Sequence, residues 1–164
     1  MKKVLFICLL AFLASCDLVK IKDGGTEETD PLGTIPSYPT TEAQFTQLFH
    51  SNVGHTWEAD GFTLAGTEGF LDCRLDDKII LKADATNSLV GTYEYNGGTD
   101  LCGAEDDQTS RFGTYQIDFA NNQVVFDAGT SNETTAKVTG LDETAIVLEG
   151  SYLGMEIRGK YLIQ

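Results

Sequence analysis

The sequence predicts an all-β domain: an eight-stranded antiparallel up-and-down barrel preceded by a short N-terminal helix. Three observations predict it. After Gly54, apolar and polar residues alternate with a period of two, and the breaks are rich in Gly, Asn and Asp. The breaks at 84–88, 120–122 and 140–144 are short, which joins antiparallel neighbours. No segment between the alternating stretches is long enough for a crossover helix, which excludes a parallel α/β fold. Strands with one apolar face close most naturally into a barrel, because closure leaves no edge exposed.

The elements follow in chain order. Thr41-Glu42-Ala43-Gln44 has capping-box spacing, and Phe45, Leu48 and Phe49 follow at i, i+3 and i+4. An amphipathic helix is expected over 42–50. The alternation then places strands at 55–64, 77–83, 89–96, 112–119, 123–127, 135–139, 145–149 and 155–163. Tyr93 and Tyr95 share a face against Thr92, Glu94 and Asn96. Tyr115, Ile117 and Phe119 oppose Gln116 and Asp118. Val124 and Phe126, Ala136 and Val138, Ile146 and Leu148, and Met155, Ile157 and Tyr161 form the other inward sets.

Upstream of the barrel, Met1-Lys2-Lys3 is basic and 4–14 is uninterruptedly apolar. A membrane-spanning helix needs about 20 residues, so this run is too short to span and reads as a secretory signal peptide. Leu13-Ala14-Ser15-Cys16 resembles the lipobox of bacterial lipoproteins. That resemblance implies cleavage after Ser15 and lipidation of Cys16, so that lipid chains become the membrane anchor. Residues 16–40 hold Gly24-Gly25, the acids Glu27, Glu28 and Asp30, and all three prolines. This composition reads as a flexible tether. The expected organisation is therefore signal peptide 1–15, tether 16–40 and barrel 41–164.

The net charge of −14 argues against nucleic acid, which is bound through Lys and Arg that displace counterions. It also argues against docking on anionic lipid headgroups. Cys8 lies in the signal peptide and Cys16 is the anchor, which leaves Cys73 and Cys102. In an exported protein such a pair reads as one disulfide. Two cysteines do not make a zinc site.

In order along the chain, Gly54-His55-Thr56-Trp57, Cys73-Arg74-Leu75-Asp76-Asp77, Gly91-Thr92-Tyr93, Cys102 and Gly113-Thr114-Tyr115 resemble the small lipocalin-like lipoproteins of Bacteroidota. The resemblance spans 41–164. It implies a lipocalin-like barrel on a lipid-anchored, monomeric cell-envelope protein of the outer membrane, with its periplasmic or surface face left open.

Chemistry is not signalled. His50 and His55 sit in no metal-binding helix motif, and no nucleophile elbow occurs. No catalytic residue, cofactor or metal is expected. The acids near the cysteines (Asp72, Asp76, Asp77, Asp100, Glu105, Asp106 and Asp107) read as solvated loops rather than a calcium site, for which no EF-hand spacing exists. The inward rings Tyr93, Tyr95, Tyr115, Phe119, Phe126 and Tyr161 either fill the barrel or line a cup for a small apolar or glycan ligand. Trp57 is expected to plug one end against the Phe45/Phe49 helix. Two function classes follow: a ligand-binding module, or an accessory lipoprotein of an envelope complex with a filled barrel.

Overall fold

A computed structural model describes residues 30–68, 71–102 and 110–164. The signal peptide, Cys16 and most of the tether lie outside the described residues. The elements are α1 (Glu42–Phe49), β1 (His55–Leu64), β2 (Thr67–Glu68), β3 (Lys78–Ala83), β4 (Val90–Asn96), β5 (Arg111–Asp118), β6 (Gln123–Phe126), β7 (Thr134–Leu141), β8 (Ala145–Tyr152) and β9 (Met155–Ile163). Every neighbouring pair from β3 to β9 is antiparallel, and β1 pairs with both β3 and β9. Eight strands thus close into the expected barrel.

β2 is an addition to that expectation. It pairs only with the far end of β1, through Thr63 and Leu64. Its hairpin turn, Ala65-Gly66, has positive φ at both residues (48° and 78°). Alanine rarely takes that conformation, and a two-residue strand is too short to display alternation. Leu153-Gly154 makes the matching turn between β8 and β9, with φ of 51° and 79°. Positive φ at both central residues suits the twist of a tight hairpin.

Thr41 caps α1 by accepting the Gln44 N–H at 3.2 Å, and the Gln44 side chain reaches back to the Thr40 N–H at 3.2 Å. This satisfies amides that the first helical turn leaves without partners. The helix ends at Phe49, one residue before the expected boundary, because His50 is already extended. Phe45 and Phe49 enter one end of the barrel. There they pack among Trp57, Leu81, Tyr115, Val124, Val138 and Ile146. The Trp57 indole N–H donates to the Phe49 carbonyl at 3.1 Å. Trp57 is 1 % exposed, so the expected plug at this end is present.

Register places Gly91 opposite Tyr115 and Gly113 opposite Tyr93 on the inner wall. A Cβ at Gly91 would lie 2.4 Å from the Tyr115 hydroxyl, and one at Gly113 would lie 2.5 Å from the Tyr93 ring. Each large ring therefore lies over a bare backbone position on the neighbouring strand. Bulges in β1 at Ala59/Gly61 and in β7 at Val138/Gly140 adjust the closure.

Two expectations require correction. Residues 30–40, read as part of the tether, lie on the outer wall instead. Arg158 donates to Asp30 at 2.8 Å, Lys160 donates to the Leu32 carbonyl at 3.1 Å, and the Leu141 N–H reaches the Ser37 carbonyl at 3.4 Å. Leu32, Pro36 and Pro39 are buried. A Cβ at Gly140 would lie 2.5 Å from the Pro36 carbonyl, so the close passage of this strap needs a glycine there. Composition indicated weak local order; the order comes from contacts with β7 and β9. Alternation puts Met155 on the inner face, but it stands exposed at the last pair of the β8–β9 ladder, beyond the point where β9 pairs with β1.

His50 is 4 % exposed, and its Nδ1 shares a hydrogen bond with the Tyr115 hydroxyl beneath α1. Burial, reinforced by the positive charge His55 can carry, lowers the His50 pKa to about 4. Its folded-state pKa is therefore below the unfolded value of about 6.5. Between those values only the unfolded chain takes the proton, so stability falls as pH drops from about 6.5 to about 4. We expect a loss on the order of 2 kcal/mol across that window in urea titrations. His50→Gln should flatten the slope there; an unchanged slope would contradict the assignment.

Candidate functional site: the open end of the barrel

Among the described residues, the end opposite α1 has no plugging helix. β1 and β8 finish there, β3, β7 and β9 begin there, and the disulfide-linked loops cross its rim. Its side chains divide into two groups.

The first group caps one side. Asp77 is only 3 % exposed. It accepts a hydrogen bond from the Tyr95 hydroxyl, which in turn accepts one from Arg74 at 3.2 Å, and Arg74 lies 3.8 Å from the Asp77 carboxylate. Burial first, and then Asp77, pushes the Tyr95 phenol up to about 12. Burial also pushes Tyr161 up, with Tyr95 and Asp77 adding to it. A buried carboxylate is tolerated only when it is paired and hydrogen-bonded; here Tyr95 and Arg74 do this. Arg74 ends the short 3₁₀ turn Asp72–Arg74, whose Cys73 is joined to Cys102 with a Cα separation of 5.1 Å. The disulfide thus ties down the segment that carries both Arg74 and Asp77.

The second group surrounds an open cleft of about 760 Å³, lined by Ile79, Tyr93, Tyr95, Arg111, Phe112, Phe126, Asp127, Asn132 and Thr134. Asp127 takes a left-handed conformation, φ 51°, just after β6. That turn sends its carboxylate back across the sheet. One oxygen accepts the Tyr93 hydroxyl at 2.7 Å and the other accepts the Thr114 N–H at 3.0 Å. Burial and then Asp127 push the Tyr93 phenol up to about 12, while nearby Arg111 opposes the shift. Both phenols are neutral donors near neutral pH. Tyr93 meets Phe126 edge-on at 5.2 Å between ring centres. A groove of about 750 Å³ on the outer wall has no ring in its lining; Lys82, Thr92, Thr114 and Gln116 are among its residues. Size alone does not distinguish the open-end cleft; its aromatic lining does.

The six rings singled out by alternation therefore separate. Tyr93, Tyr95 and Phe126 line the cleft. Tyr115 is fully buried under α1, and Tyr161 packs edge-on against Phe62. Phe119 sits in the 3₁₀ turn after β5 at the closed end, stacked on Tyr38 and edge-on to Phe45. Sequence reasoning missed Arg74 and Asp127 and read Asp77 as a solvated loop acid. Only the position of Asp127, followed by Ala128-Gly129 at a strand end, carries a local signal, that of a turn.

Among the described residues, five large apolar side chains are exposed on loops and strand ends at this end: Leu75, Leu101, Phe112, Leu153 and Met155. Val53 is exposed near the other end. Phe112 is 72 % exposed and lies at the lip of the cleft. Among the described residues no group of three or more His, Cys, Asp or Glu is placed to hold a metal ion. Asp76, one of the acids beside Cys73, is occupied as a loop brace. It accepts the Thr99 N–H and hydroxyl and the Asp100 N–H, and these bonds, the Thr99 amide first, hold its pKa below the usual carboxylate value. Glu105, Asp106 and Asp107 lie outside the described residues.

No family model, no curated protein and no solved structure matches this chain.

The disulfide closes a loop of sequence separation 29. The chain-entropy model assigns such a loop about 3–4 kcal/mol. A Cys73→Ser/Cys102→Ser variant should lose that amount in urea unfolding, and its tyrosine absorbance titration should start at lower pH as Tyr95 loses its fixed carboxylate neighbour. Unchanged stability together with an unchanged titration would contradict the pinning role.

Proposed function

We propose that this protein is a lipid-anchored, non-catalytic binding module of the cell envelope, held at the outer membrane through Cys16, and that the open end of its barrel receives a small ligand. The observation that carries the reading is the unequal filling of the barrel. One end is packed solid by α1 and Trp57. At the other, Tyr93, Tyr95 and Phe126 are only partly buried and border a cleft large enough for a small molecule. Phe112, exposed at the rim of the same cleft, adds apolar surface there. The likeness to the lipocalin-like lipoproteins of Bacteroidota supports the same reading, as does the lipobox-like Leu13-Ala14-Ser15-Cys16. The domain is expected to act as a monomer, without cofactor or metal.

Two measurements test this reading. Cys16→Ser should abolish labelled-lipid incorporation and membrane fractionation; persistence of both would refute the anchor. For the cleft, a panel of fatty acids, aromatic acids and oligosaccharides is screened by thermal shift. A ligand at a hundredfold its Kd contributes about 2.7 kcal/mol, which raises the Tm of a domain this size by roughly 5–10 °C. Thr134 is exposed beside the cleft, and Thr134→Tyr blocks it with a residue that strands favour. The variant should abolish the shift. If no compound shifts the wild type, the accessory-lipoprotein reading, a barrel without a small ligand, replaces this one.

A further inference from the structure

The polar groups around the cleft are arranged for a particular kind of guest. We infer that the open end binds a pyranose ring of a glycan, with the sugar's C–H face on the aromatic lip and its hydroxyls on Asp127 and Asn132; this rests on the cleft being the ligand site.

An alkyl chain would fill the cleft poorly in energetic terms. It would cover the Asn132 amide and the remaining lone pairs of the charged Asp127 carboxylate without giving either a hydrogen bond, and stripping water from such groups without replacement is costly. A pyranose differs in having an apolar face formed by axial C–H bonds and an edge of hydroxyls that both donate and accept. The cleft offers a counterpart to each. Phe126, on the inner face with Tyr93, supplies carbon surface within, and Phe112, 72 % exposed on the outward face of β5 opposite Glu94, borders the cleft at its rim. Asp127 supplies an acceptor that is already aimed. Its two oxygens are held by the Tyr93 hydroxyl at 2.7 Å and the Thr114 N–H at 3.0 Å. A carboxylate has about four lone-pair sites, so these two bonds fix its direction and leave capacity for sugar hydroxyls. The Gly113 backbone lets the arrangement exist: a Cβ there would come within 2.1 Å of an Asp127 oxygen. The left-handed backbone at Asp127 is a further fixed feature of the same constellation. A preset acceptor beside a ring surface recognises a hydroxylated ring at little ordering cost.

The test uses the lipid-free chain beginning after Cys16, applied to an array of immobilised pyranose oligosaccharides that includes glucan, mannan and N-acetylglucosamine chains. Hits are titrated by calorimetry, with dodecanoate as the apolar comparison. Phe112→Ala removes an exposed ring and should weaken the best glycan about fivefold to tenfold. Asp127→Asn keeps an amino acid that tolerates left-handed backbone and keeps one acceptor oxygen, for the Tyr93 hydroxyl, while giving up the bond from the Thr114 N–H. It should weaken the glycan about fivefold or more through loss of charge-assisted bonds. Val53→Ala, far from the cleft, should change nothing, and circular dichroism verifies that each variant folds. Binding of glycan with both predicted losses supports the inference. Binding of dodecanoate but no glycan, abolished by Thr134→Tyr, overturns the ligand class and leaves the cleft reading standing. Glycan binding untouched by Phe112→Ala and Asp127→Asn overturns the placement. No binding of either probe overturns both.

Discussion

An eight-stranded barrel encloses a space that its own side chains must fill, and among the described residues a helix, α1, does so at one end. The bond from the Trp57 indole to the Phe49 carbonyl fixes how deeply the helix sits. Phe45 and Phe49, both fully buried, complete the packing. Burying each such ring contributes roughly 1.5–3 kcal/mol, and removing one would leave a cavity that packed neighbours cannot collapse to fill. His50 and Tyr115, a buried polar pair, are acceptable beneath the helix because each satisfies the other. The structure depends on this plug: it lets the barrel be stable while the opposite end is built for other purposes.

Opposite the plug, stability comes from polar order instead of apolar volume. Asp77, Tyr95 and Arg74 form one braced group, and Asp127, Tyr93 and the Thr114 amide form another. Each group ties a loop to a wall strand. The Cys73–Cys102 link and the Asp76 brace on 99–100 hold the loops themselves. Loops are costly to order by burial alone. A covalent closure and a set of directed hydrogen bonds offset part of that cost where no core is available.

The wall of this barrel was legible in the sequence because its signal is local. Alternation in 91–96 and 115–126 places Tyr93, Tyr95, Tyr115 and Phe126 on one face without any knowledge of the partner strands. The capping pattern at Thr41 likewise announces α1. What was not legible depends on distant partners. Nothing near Asp30 reveals that Arg158 will meet it, so the strap over 30–40 looked like tether. Asp77 looks like any loop acid until the Tyr95 hydroxyl and Arg74 arrive from elsewhere in the fold. Phe119 continues the alternation of β5, but Asn121 and Asn122 turn the chain before the ring can join the wall. The candidate site was therefore half visible. Its rings follow from periodicity, whereas its carboxylates follow from turn geometry and long-range contact.

That division bears on what the open end can recognise. Rings set by strand periodicity supply area, which is indifferent to the guest's identity. Discrimination requires groups whose satisfaction depends on the guest. In this barrel those are Asp127 and its neighbours, held by a left-handed turn at the end of a four-residue strand. Because β6 stops at Phe126 while β5 continues to Arg111, the wall is lowest at that point, and the 127–133 connection forms the lip. A change in this connection would alter the polar groups offered to a ligand without disturbing α1, Trp57 or the inner glycines. The architecture thus separates the residues that keep the barrel folded from those that would select its ligand.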